Sequence, residues 1–100
     1  MNEDEDNMKQ GGNMPVIGAF EGLRITMNWN DHNPPHFHVT YGGKEATVNI
    51  RNCSLLNGSL PREQLKQVLE WCRFYQKELM ENWNLSHRGE SLVFLPELKK

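Results

Sequence analysis

Nowhere does this sequence reach the ~18 continuous apolar residues of a membrane-spanning helix. Its first residues are acidic, with neither a basic cluster nor an apolar run behind them. Neither a span nor a secretory leader is expected, and the chain is assigned to the cytoplasm. Cysteine is scarce, with Cys53 and Cys72 alone and no CxxC or zinc-finger spacing between them. Reduced thiols are the simplest reading, Cys72 serving as a small hydrophobe on a helical stripe. An excess of positive charge is missing too, since the formal charge is −2. Glu3, Asp4, Glu5 and Asp6 against Lys9 leave residues 1–13 at −3 and the remainder at +1. A body so near neutrality makes nucleic-acid binding by charge the least favoured reading, because that binding rests on clustered Lys and Arg releasing counterions from phosphates. There is no GxSxG, Walker loop or HExxH, so the common hydrolase, nucleotide-binding and metalloprotease signatures are absent.

What remains is ordinary globular material. At 100 residues, 37% hydrophobic and 24% charged, the chain has length for one core. Residues 1–13 contain no aromatic or β-branched side chain and end in Gly11-Gly12-Asn13, the composition of a disordered acidic tail. Residues 14–98 form the single domain. Apolar residues alternate through Val16, Gly18 and Phe20, then, past Glu21-Gly22, through Leu23, Ile25, Met27 and Trp29. Phe37, Val39 and Tyr41 repeat the pattern, and past Gly42-Gly43 so do Ala46, Val48 and Ile50. Period two marks strands, and Gly-Gly between two of them marks a tight hairpin. Residues 52–60 read as a turn or a short further strand. From Pro61 onward, Leu65, Val68, Leu69, Cys72, Tyr75, Leu79, Met80 and Trp83 follow helical spacing, and Gly89 supplies the stop. The expected fold is therefore α+β: a small antiparallel meander of four to five strands packed against one long C-terminal helix.

Three of the four histidines fall in Asp31-His32-Asn33-Pro34-Pro35-His36-Phe37-His38. On a strand, His36 and His38 share a face with Cα atoms ~6.6 Å apart at ~3.3 Å per residue. Because Phe37, Val39 and Tyr41 take the apolar side, both imidazoles are expected on the face opposite the helix, with Arg24, Thr26, Thr40, Thr47 and Asn49. Imidazole and carboxylate are zinc ligands, so His36 and His38 with His32 or Asp31 form a candidate metal site whose open position would hold a reactive water. The alternative is a polar corner in which Asp31 and Asn33 cap backbone N–H groups. His38-Val39-Thr40 also resembles one His-x-Thr strand of the two-histidine phosphoesterases, which need two such strands where this chain has one. Trp71 is the candidate aromatic for an exposed partner surface, joined by Arg24 and Thr40. His87 reads as a cation at a helix end.

Met14-Pro15, the run from Asn30 through Val39, Tyr41, Ala46, Leu60-Pro61-Arg62 and Glu81-Asn82-Trp83 together resemble a bacterial domain-of-unknown-function family, numbered four-one-six-zero, over residues 14–98. The resemblance implies a protein partner encoded nearby, since such domains often stand in gene pairs that look like toxin–antitoxin modules. The acidic extension, Asn49 and Arg51-Asn52 depart from the family pattern, which favours acidic residues at the latter positions. The preferred expectation is an interaction module of such a pair. The rival is a zinc-type phosphoester hydrolase or nuclease built on His32, His36 and His38.

Overall fold

Five strands form one antiparallel sheet in the computed structural model, which describes residues 14–99. The segment read as an acidic tail lies outside the described residues. The strands are β1 (Val16–Phe20), β2 (Leu23–Thr26), β3 (His36–Tyr41), β4 (Lys44–Asn49) and β5 (Ser54–Gly58), and their order in the sheet follows the chain. Two hairpins are set by the turn residues expected for them. Glu21 and Gly22 adopt φ of 50° and 80°, Gly42 and Gly43 φ of 53° and 85°, the positive pair that matches strand twist in a two-residue loop.

The register brings the apolar set onto one face. Ile25, Val39 and Ala46 lie opposite one another across β2, β3 and β4, with Phe37 beside Val48 and Phe20 beside Leu23. All seven are buried. The alternation of residues 23–29 outruns its strand, because β2 ends at Thr26. Met27 stays buried and bonds from its N–H to the Pro15 carbonyl, but Trp29 is half-exposed and Asn30 turns at φ 53°.

Two helices cover this face, where one long helix is expected from the sequence: α1 (Arg62–Phe74) and α2 (Gln76–His87). The break is Tyr75, at φ −102° and ψ 22°. No proline or glycine marks it. Tertiary bonds anchor the start of the second helix, with the Gln76 amide donating to the carbonyls of Ile50 and Arg51 at 2.7 and 2.8 Å. Pro61 is the residue before the first turn, one position earlier in its role than the sequence suggests. Gly89 does end the helical region: at φ 69° it lets Glu90 N–H reach the Leu85 carbonyl, and its own N–H reach Ser86, a Schellman closure.

Trp71 corrects a second expectation. It is fully buried, with Phe20, Phe37 and Tyr75 around it at ring-centroid distances of 5.7, 5.7 and 5.5 Å. Its indole N–H donates to the Pro96 carbonyl. Val68, Trp71, Cys72 and Tyr75 have i, i+3, i+4, i+7 spacing, so the indole lies within the apolar stripe and presents no partner surface. Beyond α2 the chain returns to the core through Leu92 and Leu95, while Val93 and Phe94 stay exposed. Leu95 is buried and bonds to the Ile17 carbonyl of β1, while the fully buried Asn82 side chain grips both backbone groups of Val93. No helix among the described residues is long and apolar enough to cross a membrane.

Candidate metal centre

β3 delivers His36 and His38 to the polar face with Thr40 between Arg24 and Glu45, and His38 between Thr26 and Thr47. The loop between β2 and β3 then folds Asp31 over the two rings. Asp31 Oδ2 lies 3.0 Å from His36 Nε2 and 3.6 Å from His38 Nε2. The three ligand atoms fall within 4.8 Å of one another, on half-buried side chains. Metal–ligand bonds of ~2.0–2.1 Å in a tetrahedron require ligand atoms about 3.3 Å apart, a spacing that the two Asp31 distances bracket.

Hydrogen bonds orient the set. His36 Nδ1 stands 2.7 Å from the Pro34 carbonyl oxygen. A carbonyl only accepts, so Nδ1 carries the proton and Nε2 is the nitrogen with a lone pair to offer, the outer-shell arrangement typical of a metal-binding histidine. Between Nε2 and the Asp31 carboxylate, two electron-rich atoms then need either a second ring proton or a cation. Asn28 Nδ2 donates to Asp31 Oδ2 at 3.2 Å and sits 3.4 Å from His38 Nε2. Partial burial pulls the Asp31 carboxyl upward, but the His32 N–H, the Asn28 amide and the two imidazoles outweigh it and hold the group below the usual carboxylate range.

His32 is placed differently from the expectation. Its backbone N–H binds Asp31 Oδ1 at 2.8 Å, but its exposed imidazole is not among the three converging groups. Arg24 and Thr40 do lie on the polar face, the former exposed. Trp71, buried in the core, is far from any such role.

Four contributors escape a reading of the loop alone. Asn28 has a local signal, an amide three residues before Asp31. The Pro34 carbonyl has none, because a backbone acceptor is invisible in side-chain identity; the peptide bond before Pro34 is cis. Trp83 and His87 come from α2, which therefore reaches the histidines that were expected to face away from the helical layer. The Trp83 ring lies 5.4 Å from that of His36, and His87 bridges the Trp83 and Asp31 carbonyls, each at 2.9 Å from a ring nitrogen. Next to His38 lies a cavity of about 180 Å³, bordered by Met14, Thr40, Glu45, Thr47 and Asn57. The buried Thr47 hydroxyl has no hydrogen-bond partner among the described residues.

Residues 22–84 match the model of a family described as a domain of unknown function, DUF4160. The matched span holds Asp31, both histidines, all of α1 and the Trp83 that packs on His36. No curated protein and no solved structure matches.

Proposed function

The chain belongs to the DUF4160 family, and from that premise we propose that it binds a divalent ion of the zinc type through Asp31, His36 and His38 and uses it for hydrolysis. The observation that carries this reading is the convergence of three ligand atoms within 4.8 Å, with the His36 tautomer set by Pro34. Such an ion supplies a Lewis acid and an activated water when three protein ligands leave a position open. His36 and His38 bind from a rigid strand, Asp31 completes the triangle, and the Asn28 amide orients its carboxylate. The neighbouring cavity receives the substrate. Among the described residues Glu45 is its one acidic border residue, and none that lines it is Lys or Arg. An uncharged scissile bond therefore suits the cavity better than the phosphoester considered from sequence.

Zinc titration by calorimetry tests the reading. The wild-type chain should take up one equivalent, and His36→Ala/His38→Ala should lose it while remaining folded. Equal weak binding by both proteins would remove the site.

A second reading, an interaction module of a toxin–antitoxin-like pair, is favoured by β5. This edge strand is exposed along its whole length, Leu55 and Leu56 included, and its outer side offers backbone groups to an added strand. Co-expression with the product of the adjacent gene should then yield a stable complex, and separate elution of the two proteins would count against it.

A further inference from the structure

The corner between β4 and β5 meets α1 at two thiols for which the metal centre has no use. Cys53 Sγ lies 2.8 Å from Cys72 Sγ, less than ~1 Å beyond the ~2.05 Å of a sulfur–sulfur bond. Both residues are buried. Cys53 has a φ of 52°, left-handed backbone that suits glycine or asparagine and disfavours cysteine. The compensating gain at that position is the side chain, which meets Cys72 and the Ile50 carbonyl. Nineteen positions separate the two residues, and they belong to different layers, the corner of the sheet and the last turn of α1.

We propose that Cys53 and Cys72 form a reversible intramolecular disulfide, exchanging with a small-molecule disulfide such as oxidised glutathione, that staples the β4–β5 corner to α1. Cys53 is the entry point, because Arg51, Asn52 and Ser54 around it are exposed. With the turn swung outward, the Cys53 thiol gives its proton to solvent and its sulfur attacks one sulfur of glutathione disulfide. That S–S bond breaks, one glutathione leaves as thiolate and is protonated, and Cys53 carries a mixed disulfide. Cys72 Sγ then attacks Cys53 Sγ, its proton passing to the second departing glutathione. Two protein thiols are oxidised and one external disulfide is reduced to two thiols. Burial pushes the Cys72 thiol up, so Cys72 rests protonated and slow toward general alkylating agents. The second step still proceeds, because closure of the turn returns the Cys53 sulfur to its place beside Cys72.

The test uses the full chain in buffers of graded oxidised to reduced glutathione, followed by acid quenching, unfolding, N-ethylmaleimide and intact mass. The expected product has lost two hydrogens, takes up no maleimide, runs as a monomer on a non-reducing gel and melts roughly 10 °C higher. Dithiothreitol should restore two reactive thiols and the original midpoint. Two maleimides per chain in every buffer, a persistent glutathione adduct, or a disulfide-linked dimer would each overturn the proposal. Peptide mapping of the wild-type product identifies the linkage without recourse to a variant that fails to fold. Where Cys72→Ala does fold, it should halt at the glutathione adduct on Cys53.

Discussion

The two faces of β3 share one backbone and have opposite chemistry. Phe37 and Val39 are fully buried against the helices. His36 and His38, one residue away on each side, keep side-chain exposures of 14% and 27% beneath Asp31. The inner face is held by area and shape, so its cost of change scales with the volume removed. The outer face is held by a few directional contacts, and identity matters there more than bulk. Stability should therefore live on the inner face and ligand binding on the outer one.

The largest expected effect falls on the inner face. Phe37→Ala should cost about 3–5 kcal/mol, because it removes the ring that packs on Trp71 and leaves a cavity. Urea unfolding measures it, and an equal loss in His36→Ala would break the comparison. Next comes Gly18→Ala, which tests packing from the opposite direction. A Cβ there would sit 2.7 Å from Trp71 Cζ2, an overpacking that costs about 1–3 kcal/mol. A neutral outcome would show that the indole can move.

The outer face should respond to pH instead. The Asp31 carboxyl is held lower in the folded chain than its ordinary value, so its contribution is fully present above the unfolded value near ~4 and is lost as pH falls through the folded one. Between neutral pH and pH ~2, wild type should lose more stability than Asp31→Asn. Parallel curves would mean that the carboxylate gains nothing from the His32 N–H, the Asn28 amide and the two imidazoles. The smallest effect belongs to His32. His32→Ala should leave zinc affinity unchanged and stability within ~0.5 kcal/mol. A tenfold weaker affinity would restore its imidazole to the ligand set.

Much of this architecture is legible one element at a time. The period-two runs place Ile25, Phe37, Val39, Ala46 and Val48 inside, and Gly42-Gly43 and Gly89 mark a turn and a helix end through backbone angles that other residues resist. The outward pairing of His36 and His38 follows from the same alternation. The break at Tyr75 leaves no such mark, because the bonds beside it run from Gln76 to carbonyls of Ile50 and Arg51 some 25 positions away. Trp71 could have been placed inside from its spacing with Val68 and Cys72, but a large aromatic near the margin of a stripe invites the opposite reading.

The alternating pattern by itself decided which side of β3 carries imidazole, since neighbouring side chains on a strand must point to opposite faces. Which carboxylate or imidazole joins them was decided only by the folded chain. Asp31 rather than His32 stands over the rings because the loop turns through Asn28 and Pro34, and because His87, 56 positions away, holds the Asp31 carbonyl. Periodicity is a local property of backbone geometry, whereas a three-point site depends on contacts between distant segments that no spacing rule encodes.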